Sequence, residues 1–240
     1  YNYKIQIFYH KMISIVIPTL NEEKNIFIIT KKLLRLKIVS EIIFVDDNST
    51  DKTLLEIKNI KNKKVFGYLR KAKTRDLSKS VIFGIKKANN DVVLVMDCDL
   101  QHDSNYIQHM WKKFKKKECD VIVGSRFEKK LLSGNLGFFR SMLSRLAIFS
   151  ISVIFGNKSS DPLSGFFMCN KELVNKNANL YYAKGYKILF DILFNSKGNL
   201  KTVDYNIVFK KRNYEKSKFN LSIIWLFIRQ MIYTILLVKK

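Results

Sequence analysis

The sequence predicts an α/β protein with a mostly parallel central sheet and an apolar helix appended at the C-terminal end. Three observations carry this. Short runs rich in Val and Ile alternate with longer segments whose apolar residues recur at helical spacing, the order that builds a parallel sheet with helices on its faces. The runs are apolar at consecutive positions, the pattern of strands buried on both faces. Acidic and amide residues cluster directly after the runs, and sheets of this kind bind ligands beyond the carboxyl ends of their strands.

In chain order, residues 12–18 read as a first strand, stopped by Pro18, and Asn21-Glu-Glu opens a helix with Ile26, Ile29, Leu33 and Leu36 on one face. Residues 41–45 form a second strand, closed by the acidic stretch 46–51 and followed by a helix marked by Leu54, Leu55, Ile57 and Ile60. Residues 65–69 are a weaker strand, and Leu77, Val81, Ile82 and Ile85 mark a third helix ending near Asn89. Residues 92–96 form the next strand, then come a helix at 106–117 and a strand at 120–123 that ends in Gly124-Ser-Arg126. Residues 128–137 read as a mobile loop. Residues 138–155 are a long apolar segment, too broken by polar residues for a membrane span. A turn at 156–161 precedes an element opened by Pro162, 186–194 reads as a helix, 202–209 as a strand with period-two alternation, and 210–218 as a basic loop. The chain thus divides into a folded domain at 11–218 and a C-terminal helical segment at 219–240.

That last segment has eighteen mostly apolar residues at 221–238 with Arg229 and Gln230 near the middle. A charge there is costly in a bilayer core. Trp225, Tyr233 and the terminal lysines suit an interface, so the segment is expected to lie on or dip into a membrane, or to lead into a membrane part. An amphipathic helix capping the core is the competing reading. Residues 1–11 are aromatic and basic, with no apolar core long enough for a signal peptide.

Lys+Arg 44 against Asp+Glu 20 leaves a net charge of +24, which calls for an anionic partner: nucleic acid, a membrane surface or a phosphorylated substrate. Nucleic acid is disfavoured, because the chain has no RNP-like strand or helix-turn-helix and its carboxylate clusters would repel a phosphate backbone. The three cysteines, Cys98, Cys119 and Cys169, show no paired spacing and read as reduced thiols in a cytosolic setting.

The strand at 92–96 runs into Asp97-Cys98-Asp99-Leu100-Gln101. If the chain stays extended, residues two apart point to one side, and Asp97, Asp99 and Gln101 gather three oxygen-bearing groups able to hold a hard divalent cation against a phosphate. Taken alone, an Asp-x-Asp pair as readily just ends a strand. Likewise Asn21 and Glu22 can cap a helix, and Asp47-Asn48 can form a turn.

Five motifs in order, at 15–22, 44–51, 95–102, 123–126 and 161–166, resemble those of family 2 glycosyltransferases, and most closely the polyprenol-phosphate (dolichol-phosphate) mannosyltransferases. The resemblance runs from about residue 13 to 218. It implies a GT-A fold, a nucleotide-sugar donor such as GDP-mannose, Mg or Mn, and a polyprenyl or dolichyl phosphate acceptor. It also implies work at the cytoplasmic face of a plasma or endoplasmic reticulum membrane, with a small membrane subunit or fused membrane domain as a further partner.

By the same resemblance Asp97, Asp99 and Gln101 bind metal, and Pro18, Leu20, Glu22, Val45 and Asp47 cradle the nucleotide, with Cys98 between the two acids. Arg126, Arg140, Lys187, Arg212 and Lys218 match positions that contact donor or acceptor phosphates, with Arg75 a looser match; Asp99, Arg126 and Arg140 form the implied catalytic set. Arginine suits the task because its planar fork binds phosphate bidentately. His102 and Asp161 are candidates for a general base, although an ionised phosphate monoester already carries its nucleophilic oxygens. Leu20, Asp76, Cys98 and Glu215 depart from the residues common at these positions, and Leu20 removes an aromatic surface for the base. A transferase using a UDP-sugar, or a basic membrane- or nucleic-acid-binding protein without catalysis, are the alternatives.

Overall fold

In the computed structural model, residues 12–72, 74–116, 119–128, 131–132, 138–208, 210 and 221–238 are described, with backbone alone at 128, 131–132, 138–141, 221 and 238. Strand and helix alternate through β1 (Ile13–Thr19), α1 (Glu23–Leu34), β2 (Val39–Asp46), α2 (Thr53–Asn59), β3 (Val65–Leu69), α3 (Leu77–Lys87) and β4 (Val92–Val95). Next come α4 (Asn105–Lys115), β5 (Val121–Ser125), the two-residue strands β6 (Phe127–Glu128) and β7 (Leu131–Leu132), and α5 (Phe138–Phe155). The remaining elements are β8 (Phe167–Asn170), α6 (Lys171–Asn177), α7 (Ile188–Asn195), β9 (Thr202–Asn206) and α8 (Leu221–Val238).

Seven strands form one sheet in the order β3-β2-β1-β4-β8-β5-β9. β1 pairs in parallel with β2 and β4, β2 with β3, and β5 with β9. β8 alone is antiparallel, wedged between β4 and β5. Its reversed direction has a consequence for the site: the segment that enters β8 arrives at the carboxyl ends of its two neighbours.

All seven positions of β1 are buried, because both faces of the sheet are covered. Ile13, Ile15 and Ile17 join Ile26, Ile29 and Leu33 of α1, Ile57 of α2 and Trp111 of α4 on one face. On the other, Val16, Ile43, Val93 and Val123 pack against Val81 and Ile85 of α3, Ile151 of α5 and much of α7. Each such side chain contributes about 1.5–3 kcal/mol by leaving water, before the entropy of ordering it is subtracted.

Several expectations are corrected. α1 stops at Leu34, short of Leu36, and α2 stops before Ile60, both of which pack as loop residues. The loop at 128–137 contributes a short antiparallel pair, β6 with β7. The strand at 202–209 ends at Asn206. Residues 138–155 form one continuous helix and, in keeping with its polar interruptions, no helix among the described residues is long and apolar enough to cross a membrane. α8 packs Phe227 and Met231 against the core and fully buries Gln230 and Thr234, while Trp225, Ile228, Ile232 and Leu236 are exposed. None of Cys98, Cys119 and Cys169 forms a disulfide among the described residues, and burial pushes the Cys169 thiol up to about 12.

Candidate active site

A cavity of about 350 Å³ opens at the carboxyl ends of β1, β2 and β4. Pro18, Leu20, Glu22, Asp47, Arg75, Asp97, Cys98, Asp99, Gln101, His102, Arg126 and Lys187 all line it, so the sequence motifs converge on one place. Val45 does not. Alternation along β2 turns its side chain into the core against α3, where it packs with Val16 and Val81.

The acidic end is built by a turn rather than by continued strand. β4 ends at Val95, and Leu100 adopts a left-handed φ of 63°, so the extended geometry expected past Met96 does not occur. The turn nevertheless gathers the three residues. The Asp99 carboxylate is buried and its Oδ1 accepts the Gln101 N–H at 3.1 Å, while Gln101 Nε2 donates to the Lys210 carbonyl at 3.0 Å. Asp97 is more open, its side chain 37% exposed. A Cβ at Gly165 would lie 2.6 Å from Asp97 Oδ2, so this neighbour can only be glycine while the carboxylate keeps its place.

Among the described residues no cluster of three His, Cys, Asp or Glu side chains is placed to enclose a metal. Two adjacent carboxylates on an open cavity still fit Mg or Mn, which are held through one or two carboxylates together with substrate phosphates. His102 stacks on Phe166 at 4.9 Å between ring centroids and sets Nε2 3.4 Å from Asp97 Oδ2, so it orients that carboxylate.

At the other end the loops after β1 and β2 brace each other. Asn21 and Asn48 sit at left-handed φ of 54° and 63°, conformations Asn tolerates. Asn21 Oδ1 accepts the Thr50 N–H at 2.8 Å, and the Glu22 N–H donates to Thr53 Oγ1 at 2.7 Å. The Glu22 side chain does not cap α1; its Oε2 accepts from Asn25 Nδ2 at 2.7 Å. Asp47 is gripped from two sides, by the Arg70 guanidinium and by the Asp76 N–H. Asp76, one of the departures from the family pattern, caps α3 by accepting the Lys79 N–H and also accepts the Gly185 N–H at 3.1 Å. Desolvation raises the Asp76 pKa despite those backbone donors.

Arg126 follows β5 and meets Asp161 in a two-pronged pair, Nε to Oδ2 at 2.7 Å and a terminal nitrogen to Oδ1 at 2.8 Å. Asp161 also accepts the Arg126 N–H at 3.1 Å and is fully buried, so it is not a general base; it is the anchor of Arg126. Burial alone would lower the guanidinium pKa, but Asp161 and then Asp97 outweigh it and raise it. The reversed strand explains the motif at 161–166. Entering β8, it brings Asp161 to Arg126, Ser164 Oγ to the Gly124 carbonyl at 2.8 Å, and Gly165 to Asp97. Lys187 Nζ donates to the Leu163 carbonyl at 3.2 Å. Arg140 lies on α5 with its side chain outside the described residues, as are Arg212 and Lys218 entirely.

The structure adds residues that the sequence did not flag. Arg70 was detectable only as a charge at the end of a weak strand. Tyr186 lines the cavity close to Asp47 and Asp76; burial raises its phenol pKa and those carboxylates add to the shift. The apolar side of the cavity, Leu143 and Ala147 of α5 with Ile223, Ile224 and Phe227 of α8, had no local signature.

Residues 14–177 match the family described as glycosyl transferase family 2. Dolichol-phosphate mannosyltransferase of Pyrococcus furiosus is 33% identical over 223 residues, covering 91% of this chain and 62% of the relative. That of Saccharomyces cerevisiae is 27% identical over 191 residues, covering 75% of this chain and 69% of the relative. The chain therefore spans about three fifths of the Pyrococcus protein's length. In fold it is similar to glucosyl-3-phosphoglycerate synthase of Mycobacterium tuberculosis in complex with Mn2+, UDP and glucosyl-3-phosphoglycerate, with a TM-score of 0.71 at 19% identity over 94% of this chain and 79% of that one. With its α/β GT-A architecture and its motifs gathered on one cavity, the chain belongs to glycosyl transferase family 2.

Proposed function

We propose that this chain transfers a hexosyl group with inversion, mannose from GDP-mannose, to a polyprenyl or dolichyl phosphate at the cytoplasmic face of a membrane. The carrying observation is the make-up of the cavity, which combines the carboxylates Asp97 and Asp99 with an apolar side formed by α5 and α8. A phosphate carried on a hydrocarbon chain needs both kinds of surface. A second reading keeps the reaction and changes the donor to a UDP-hexose, favoured by Leu20, which offers no aromatic ring to a guanine.

Transfer requires an acceptor phosphate oxygen to form a bond to the anomeric carbon as the bond to the donor diphosphate breaks on the opposite face, which inverts the sugar. The phosphate oxygen is already ionised, so no side chain has to remove a proton. Mg or Mn held by Asp97 and Asp99, with Gln101, would neutralise the departing diphosphate. Pro18, Leu20, Glu22, Asp47 and Arg75 are assigned to the nucleotide. Arg126, held by Asp161, and Lys187 are assigned to phosphates, as are Arg140, Arg212 and Lys218. Alignment of two anions against fixed positive charge is the catalytic contribution of these residues.

The exposed apolar positions of α5 and α8, together with a net charge of +24, support docking on an anionic lipid surface rather than spanning it. With Mn2+, GDP-mannose is expected to raise Tm by about 5 °C at a hundredfold excess over Kd, and UDP-sugars to leave it unchanged. The reverse result moves the assignment to the UDP-hexose reading. Asp99→Ala should cut transfer to a polyprenyl phosphate roughly a thousandfold, and unchanged turnover would sink the mechanism.

A further inference from the structure

Gln230 is buried at 1% exposure in the middle of α8, a mostly apolar helix. Its Nε2 donates to the Lys187 carbonyl at 3.1 Å, and its side chain favours the charged form of the Asp191 carboxyl of α7. Asp191 in turn accepts the Ala183 N–H at 2.9 Å and Asn195 Nδ2 at 2.9 Å. The segment between, which carries Tyr186 and Lys187 into the cavity, holds two left-handed residues, Ala183 at φ 49° and Gly185 at φ 90°. A non-glycine residue at positive φ persists only where its surroundings hold it.

α3 holds the same segment from the opposite side. The Gly185 carbonyl accepts the Ser78 N–H at 3.0 Å and Ser78 Oγ at 3.1 Å, and its N–H donates to Asp76. α8 lies directly over it, with Tyr182 and Tyr233 paired at 5.4 Å and Phe190 edge-on to Phe227 at 5.6 Å.

We propose that Gln230 is a positioning residue: it is the joint through which the C-terminal helix fixes the conformation of the segment bearing Tyr186 and Lys187, and so couples the seating of α8 to phosphate binding in the cavity. The coupling to phosphate rests on the function proposed above; the control of the segment does not. Because coupling between two sites is reciprocal, a substrate held by Lys187 also favours the seated helix.

The test uses the full chain with Gln230→Leu, and Thr234→Val as a control, since Thr234 is fully buried one turn further along α8 and lines no part of the cavity. Amide hydrogen exchange over 181–188 is expected to accelerate at least about tenfold in Gln230→Leu and to stay unchanged in Thr234→Val. Equal exchange in all three proteins overturns the inference whatever the enzyme does. In the transfer assay, Lys187→Met and Gln230→Leu should each raise KM for the same substrate by about tenfold, with the double variant no worse than Lys187→Met alone. Faster exchange with additive KM effects, or with no effect of Lys187→Met, overturns the coupling to phosphate. Failure of the wild-type chain to transfer any sugar removes the function proposed above, and the exchange rates then decide the role of Gln230 on their own.

Discussion

The two sides of the cavity are built on opposite logics. On the polar side every acid that matters has a fixed partner: Asp47 has Arg70 and the Asp76 N–H, Asp97 has His102, Asp99 has the Gln101 N–H, and Asp161 has Arg126. Loops after strands are tied to one another across the sheet's edge, by bonds that span 23 residues from Asp47 to Arg70 and 35 from Arg126 to Asp161. The apolar side leaves large side chains outward. α8 buries Gln230 and Thr234 and exposes Trp225, Ile228, Ile232 and Leu236, and α5 exposes Leu146, Phe149 and Val153. These helices still send Ile151, Phe227 and Met231 toward the core, so what sets them apart is the number of large apolar side chains left on their outer faces.

The polar side should fail hardest at Asp161. Replacing it with Asn strips the counter-charge from a nearly buried guanidinium, and urea unfolding should show a loss of about 3 kcal/mol, together with slower transfer. A loss below about 1 kcal/mol would mean that Arg126 is stabilised by something other than its two-pronged pair.

The apolar side is tested by Phe149→Ser combined with Trp225→Ser, two exposed positions that do not line the cavity. Binding to vesicles of anionic lipid should fall tenfold to a hundredfold, on the order of 1.5–3 kcal/mol, while turnover on a short water-soluble polyprenyl phosphate stays the same. Unaltered vesicle binding would assign those helices to another neighbour.

The smallest expected effect concerns Asp191, a fully buried carboxyl that accepts from the neutral Ala183 N–H and Asn195 side chain. Burial raises its pKa from 3.8 to about 6, with the Gln230, Ala183 and Asn195 donors pulling the other way. Between those values the folded protein keeps a proton that the unfolded chain has released, so the contribution of Asp191 to stability is full below 3.8 and is lost as pH rises through about 6. The decline should be on the order of 1–2 kcal/mol, and Asp191→Asn should flatten it in thermal melts taken from pH 4 to 7. A variant with the same slope as the wild-type chain would place the proton elsewhere. Asp161 and Asp191 thus differ in kind: one is paired with a guanidinium, while the other's hydrogen-bond partners among the described residues are neutral.

Legibility follows the range of the interactions. Strands such as 92–95 and helices such as α3 are readable because hydrophobic periodicity is local, and the motifs at their ends mark the cavity correctly. Val45 is misplaced by motif reading because Asp47 lies past the end of β2 and lines the cavity, while Val45, still inside the strand, packs into the core beneath α3. The extended Asp-x-Asp-x-Gln geometry fails because Leu100 takes a left-handed turn that no spacing rule reveals. Asp161 looks like a base because sequence does not show what a carboxylate touches.

The order of residues along the chain is enough to set the α/β alternation, the strand-end location of the site and the family, since each depends on which residues follow one another. Tertiary packing alone runs β8 backwards, carries Asp161 to Arg126 and Gly165 to Asp97, and turns Gln230 inward onto Lys187. Those contacts join residues 35 and 43 positions apart in the first and last cases. Their pairing is set by how whole elements pack, and no local propensity encodes it.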